Sequence, residues 1–353
     1  MISPRNQHLD SIIVSPSVSI AEAIVQLNKA GTGALVLCSN GRKLYGFLTD
    51  GDIRRAVLRG ISLKSACESI ASRNPTTTQP AISAANALDL MNHEDINQLP
   101  LVDAANDVVG LLLRRDIVSE DQLNLSAVVM VGGYGKRLLP LTEQVPKPML
   151  PLGDRPMLER TIERLRLAGI REVTLSTHYL PECIEQYFGD GGSFGVRLTY
   201  LKEDQPLGTA GGLKLMKKAT GPFFVMNGDV ITALPFRQML SYHHKHGAEI
   251  TVGVRKYDVQ VPFGVVECED VRTTHLTEKP SLSFFINAGV YLLEPSVWDD
   301  IPEGQRYDMT ELIQKLLDSG RSVVSFPIME YWRDVGQHED YRQAQEDIRN
   351  GRI

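Results

Sequence analysis

Sliding the sequence by 64 residues lays its first third over itself without a gap. Ile20, Ala23, Ile24 and Leu27 fall on Ala84, Ala87, Leu88 and Met91. Both sets have the i, i+3, i+4, i+7 spacing of one buried helix face. Leu35 and Leu37 fall on Leu99 and Leu101, the alternation of a half-buried strand. Gly46-Phe47-Leu48 falls on Gly110-Leu111-Leu112, and Asp52-Ile53 on Asp116-Ile117. Each copy therefore predicts helix, strand, strand, helix. A unit of that size cannot enclose a generous core alone, so the two copies are expected to pair as one α+β domain over residues 1–122. The chain from 126 to 353 is long enough for a second domain with its own core. The polar, acidic stretch Ser119-Glu120-Asp121-Gln122 reads as the linker.

The paired units resemble a tandem of CBS modules, with Gly46-Phe47-Leu48-Thr49-Asp50-Gly51-Asp52-Ile53 as the characteristic stretch. The resemblance implies a regulatory site for an adenine nucleotide, Thr49 and Asp52 holding its ribose and phosphate. It also implies a homo-oligomer formed through these modules. The second copy keeps Asp116 but has Leu113 in place of the Thr, which breaks the pattern there. Aspartates at helix starts also serve simply as caps.

The second domain opens on AVVMVGGYGKRLLPLTEQVPKPMLPL, residues 127–152. An apolar strand-like run ends in Gly132-Gly133-Tyr134-Gly135, followed at once by Lys136 and Arg137, with Lys147 ten residues after Arg137. Glycines let a backbone approach a ligand closely. Successive N–H groups in such a turn form a concavity for anions, and Arg137 and Lys147 add positive charge for a polyphosphate. A Walker loop is excluded, because Met130 and Arg137 stand where it needs Gly and Ser or Thr. A dinucleotide fingerprint is excluded by Leu138 at its third Gly.

Further on, strands at 172–176 and 223–226 alternate with a helix opening at Asp154-Arg155-Pro156, where Pro suits the first helical position. Leu158, Ile162, Leu165 and Ala168 form that helix's apolar face. The alternation predicts an α/β domain with a mostly parallel sheet. Ligands then bind beyond the carboxyl ends of strands. Asn227-Gly228-Asp229 lies there, and Trp332-Arg333-Asp334 supplies a second acid before a Gly.

These segments resemble the sugar-1-phosphate nucleotidylyltransferases, whose signature Gly-Gly-x-Gly-(Ser/Thr)-Arg-Leu-x-Pro-Leu-Thr followed by Pro-Lys-Pro matches from Gly132 to Pro148. Lys136 departs from it, standing where the family usually has a hydroxyl. The resemblance implies a three-layer Rossmann-like domain with a mixed, mostly parallel sheet. It implies Mg²⁺ on Asp229 and Asp334, Arg137 and Lys147 on the nucleotide's phosphates, and the backbone of Gly132, Gly133, Gly135 and Lys136 around them. Gly264, Glu278, Lys279 and Asn287 match the half of the family's pattern that holds the sugar phosphate. The stretch from Glu203 through Gly208 and Thr209 to Gly212 matches its nucleobase loop. A carboxylate only accepts hydrogen bonds, and guanine offers two adjacent donors, so Glu203 points to GTP rather than a pyrimidine nucleotide.

The implied reaction joins an NTP and a sugar-1-phosphate to give an NDP-sugar and pyrophosphate; a GDP-aminohexose is the favoured product. Two rivals are a nucleotide-sensing protein that has lost catalysis, and a cytidylyltransferase acting on a phosphocholine-like acceptor. The retained Arg137, Lys147, Asp229, Asp334 and Lys279 argue against the first, and Glu278, Lys279 and Asn287 against the second. His243, His244 and His246 crowd together but lack the spacing of a metal site; a helix end at Gly247 accounts for them.

Composition narrows the partners. With 42% hydrophobic residues, 23% charged and a net charge of −6, the chain is ordinary for a globular protein, and its acidic balance argues against a nucleic-acid partner, which would want a basic face. No apolar run approaches membrane-spanning length, and the first residues lack the design of a signal peptide. Cys38, Cys67, Cys183 and Cys268 are scattered, reading as reduced thiols in a cytoplasm.

Overall fold

The computed structural model describes residues 9–39, 41–117 and 125–353. The first eight residues and the Ser119–Gln122 stretch read as a linker lie outside them. The chain divides into two compact units, Met1–Asp121 and Gln122–Ile353.

In the first unit the 64-residue translation recurs in the backbone. Helices Ile20–Ala30 and Ala84–His93, then strands Ala34–Ser39 and Gln98–Val102, start 64 residues apart. Ser19 and Ser83 open the two helices alike, each hydroxyl accepting from a backbone N–H three residues on at 3.2 Å. That satisfies one donor the helix start leaves free. Ala34, Val36 and Phe47 of the first copy share one core with Val102, Val108, Leu111 and Leu113 of the second. Val108 N donates to Arg42 O at 2.8 Å across the join.

The second unit is built on seven strands: β1 (Ser126–Met130), β2 (Glu172–Thr177), β3 (Arg197–Lys202), β4 (Phe223–Asn227), β5 (Ile250–Gln260), β6 (Ser281–Leu293) and β7 (Val323–Pro327). Their order is β3-β2-β1-β4-β6-β5-β7. Only β6 runs against its neighbours; the other pairings are parallel. The sheet is therefore mixed and mostly parallel, as the alternation predicted. Val129, Leu175, Phe224 and Val290 pack with Leu158, Ile162 and Leu165 in the main core. That helix runs Met157–Leu167, with Pro156 as its cap rather than its first residue. Met157 N donates to Leu150 O at 3.1 Å, which holds Arg155–Pro156 extended against Pro151–Leu152.

From β1 the chain goes first to β2 and β3 on one side, then to β4 on the other. The switch opens a crevice beyond the carboxyl ends of β1 and β4, where ligands bind in such sheets. On the far side, β5 and β6 continue past the sheet as a two-stranded ribbon. Gln260 pairs with Ser281, Val261 N donates to Pro280 O at 2.9 Å, and the ribbon ends in the hairpin Val265–Glu269 with Arg272–Thr277. Ten of the twenty exposed large hydrophobic residues among those described lie between Tyr257 and Phe285, so this arm shares little of the core.

Candidate active site

The glycine turn leaves β1 and folds back on the segment carrying Lys147. Gly135 has φ 61°, and a Cβ there would stand 2.9 Å from Thr142 Cγ2 and 3.1 Å from Lys147 Cβ. Only glycine lets these pieces close. Thr142 Oγ1 donates to Gly135 O at 2.9 Å and fixes the closure. Beside it, Gly228 N donates to Met130 O at 2.9 Å; a Cβ on Gly228 would come within 2.5 Å of Val131 Cγ1. That close approach sets Asp229 beside the turn.

Lys147 Nζ donates to Asp229 Oδ2 at 2.6 Å. The second acid arrives on a short ladder, Val230–Thr232 against Trp332–Asp334, in which Val230 pairs with Asp334. Val335 N donates to Asp229 O at 3.0 Å and locks the register. Asp334 keeps an exposed surface and is in part desolvated by its surroundings. That partial burial, and then the charge of Asp229, push its carboxyl above the usual range, with Lys147 and Arg137 pulling it back. Arg137 Nη1 lies 3.8 Å from where a Cβ on Gly336 would stand. Arg137 and Lys147 are thus electrostatic neighbours of Asp229 and Asp334, which lie far from them and from each other in sequence.

Two carboxylates near enough for the charge of one to raise the other suit a hard divalent cation, which takes one or two carboxylates plus phosphate oxygens. Among the described residues no group of three or more His, Cys, Asp or Glu is arranged to hold a metal. An ion on Asp229 and Asp334 would therefore complete its ligands from substrate and water.

Glu203 is 9% exposed. Its Oε1 accepts from Ser176 Oγ at 2.6 Å and its Oε2 from Leu207 N at 2.9 Å. Each oxygen retains a further lone pair, so the carboxylate braces its loop and still has acceptor capacity. Thr209 anchors the same loop: its N donates to Asp308 Oδ1 at 3.1 Å, and its Oγ1 accepts from Met309 N at 2.8 Å. Gly208, φ 79°, passes the same Asp308 carboxylate.

Gly264, Glu278 and Lys279 stand exposed on the ribbon, Lys279 with φ 45°. Among the described residues no hydrogen bond or ion pair joins them to the carboxylate pair. Asn287 sits at the ribbon's base, its Oδ1 accepting from Gly289 N at 2.9 Å, three residues before the Val290–Met226 pairing with β4. Lys136 is turned aside, its Nζ 5.5 Å from the centre of the Tyr134 ring.

In the first unit Thr49 and Asp52 form a reciprocal cap on helix Asp50–Leu58. Thr49 Oγ1 donates to Asp52 Oδ2 at 2.6 Å, and Asp52 N donates back to Thr49 Oγ1 at 3.2 Å. Of the clustered histidines, His243 turns inward to Thr251 Oγ1 at 2.8 Å and Glu294 Oε1 at 3.2 Å. Burial holds its imidazole below the usual range, partly offset by Glu294.

Sequence reasoning missed His178, Tyr179 and Asp308. Tyr134 Oη lies 2.9 Å from His178 Nε2, and His178 Nδ1 lies 2.7 Å from Glu203 O. Tyr179 Oη donates to Glu143 O at 2.9 Å. A usable signal existed for the pair: His178-Tyr179 directly follows a strand's carboxyl end, as Asp229 does. For Asp308 the signal was Asp308-x-x-Glu311, a capping box at a helix start.

Comparison with known proteins agrees in extent with these two units. The profile described as "Nucleotidyl transferase" matches residues 126–351, and the CBS domain profile matches 8–59 and 67–122. The chain is 40% identical over 229 residues to the mannose-1-phosphate guanyltransferase of Kluyveromyces lactis and 38% identical over 228 to that of Saccharomyces cerevisiae. Each alignment takes in 62% of this chain and spans 63% of the relative's length. Among solved structures it resembles HddC from Yersinia pseudotuberculosis, with a TM-score of 0.51 and 25% identity over 64% of this chain and 99% of that one. No helix among the described residues is long and apolar enough to cross a membrane.

Proposed function

Because the chain belongs to the nucleotidyl transferase family, we propose that its C-terminal unit transfers the nucleotidyl group of GTP to a sugar-1-phosphate, releasing pyrophosphate. The observation that carries this reading is the gathering of Lys147, Asp229, Asp334 and Arg137 at the switch crevice beside the glycine turn. An oxygen of the sugar phosphate attacks the α-phosphorus; the new O–P bond forms as the bond to the bridging oxygen of pyrophosphate breaks. The nucleophile is already anionic, so catalysis rests on positioning and charge neutralisation. Lys147 has three donors, of which Asp229 takes one, leaving the others for the α-phosphate. Arg137 and the turn's N–H groups hold the departing pyrophosphate. Mg²⁺, bound by Asp229 and Asp334, would supply charge to the phosphates of both substrates. Gly264, Glu278, Lys279 and Asn287 take the sugar phosphate as acceptor.

Glu203 and the guanyltransferase relatives both favour GTP. Those relatives make mannose-1-phosphate the first acceptor to try, beside the aminohexose phosphate expected from the sequence. Thr49 and Asp52 take an adenine nucleotide that regulates turnover, the modules join copies into a homo-oligomer, and the protein works in the cytoplasm. The test is pyrophosphate release from four NTPs over a panel of sugar-1-phosphates. GTP with one hexose or aminohexose phosphate is the expected pair; equal turnover with UTP or dTTP refutes the base assignment, and release from no pair refutes the enzyme.

A further inference from the structure

The glycine turn carries one bulky residue, Tyr134, and it is held on several sides. Its ring meets Tyr179 at 5.2 Å between centroids and His178 edge-on at 5.5 Å, and Lys136 Nζ lies 5.5 Å from its centroid. A cation at that distance is attracted to the ring face. The hydroxyl of Tyr134 reaches His178 Nε2 at 2.9 Å, and His178 Nδ1 reaches the main-chain oxygen of Glu203 at 2.7 Å. A carbonyl only accepts, so Nδ1 carries the proton; in the neutral ring Nε2 then accepts from Tyr134. A directed chain runs Tyr134 Oη–H to His178, and His178 Nδ1–H to Glu203 O. It ties the end of β1 to the ends of β2 and β3.

We propose that Tyr134 and His178 are positioning residues for the nucleotide, a strut that sets the spacing between the phosphate turn and the nucleobase loop. This rests on the nucleotide site of the proposed function. A strut of that kind adds little to either half of the ligand and acts only when one molecule spans both. Its loss weakens GTP binding while leaving tripolyphosphate and guanosine nearly unaffected. The KM of the sugar phosphate stays unchanged, because no member of the chain lies on the ribbon.

The test is calorimetric binding of GTP, tripolyphosphate and guanosine to the full chain and to Tyr134→Phe, His178→Leu and the double variant. Tyr134→Phe keeps the ring and its contacts, so a changed fold is not at issue. Each single variant is expected to weaken GTP about five- to tenfold, as for one lost hydrogen bond. The double variant should be no weaker than the worse single, because both remove the same chain. Additive losses, unchanged GTP binding, or equal weakening of tripolyphosphate overturn the strut. A wild-type chain that binds no nucleotide overturns the proposed function with it; a wild-type chain that binds GTP, with variants that bind equally, overturns the strut alone.

Discussion

The Lys147–Asp229 contact is unequal, and that inequality can be measured. The Lys147 side chain keeps 9% of its surface and that of Asp229 keeps 31%. At 2.6 Å and an effective dielectric near 20, the attraction is about 6 kcal/mol before lost hydration is counted. Desolvation returns most of it. Removing one partner is a different quantity from removing the pair. Asp229→Asn strands a buried ammonium opposite a neutral amide. A fully buried pair loses about 3–5 kcal/mol that way; with Asp229 a third open, and with its repulsion of Asp334 relieved, about 2–3 kcal/mol is expected. Lys147→Met instead leaves a carboxylate that water reaches, and should cost about 1 kcal/mol, the scale of a pair open to solvent. In a domain of this size each kcal/mol moves Tm by roughly 2–4 °C. Asp229→Asn should then lower the catalytic unit's transition by about 4–12 °C and Lys147→Met by about 2–4 °C, followed by calorimetry. The double variant strands no charge and should be more stable than Asp229→Asn alone. Equal losses from the two single variants, or a double variant carrying their sum, refute the asymmetry.

Other consequences are simpler to read. Gly228→Ala puts a methyl 2.5 Å from Val131 Cγ1; about 1–3 kcal/mol of stability should be lost to denaturant, with turnover falling as Asp229 moves. Asp334, raised by partial desolvation and by Asp229, must be ionised to fill its proposed role as a metal ligand. The acid limb of kcat/KM should therefore begin above the range of an ordinary aspartate, and a limb inside that range contradicts the assignment. The stability sign is opposite: a carboxyl raised in the folded state contributes stability at low pH, which is lost as pH rises through its folded value. Asp334→Asn should accordingly abolish turnover without lowering Tm at neutral pH. Asp52→Asn removes the ionised half of the cap on helix Asp50–Leu58 and should cost about 1 kcal/mol. It should also remove ATP, ADP and AMP binding by calorimetry; unchanged binding denies Asp52 that role.

The repeat was legible because it is gapless: a shift of 64 carries helix face, strand alternation and helix start together. Asp229 after an apolar strand and Asp334 before a Gly are each weak signals, and the two read as a pair only through the family resemblance. Contacts between loops were not legible. Thr209 and Asp308 meet across 99 residues, and no period or spacing marks that pairing. The start of helix Met157–Leu167 was misplaced because proline's fixed φ suits a cap as well as a first turn; the choice fell to Leu150 O. The ribbon shows the limit of alternation. Tyr257 and Val259 alternate along β5, yet both are exposed, because alternation gives a face its polarity and not its partner.

That ribbon separates two properties that a compact site would bind together. Residues proposed to meet the sugar stand on an arm that shares little of the core, while those for the nucleotide phosphates are clamped between glycine, Lys147 and Asp229. Substitutions on exposed surface usually change stability by no more than about 0.5 kcal/mol. On the proposed assignment, Glu278 and Lys279 can therefore vary, and with them the acceptor, while the fold and the nucleotide half stay fixed. On that assignment, acceptor choice is the easier trait to change, and the chemistry proposed at Asp229 the harder.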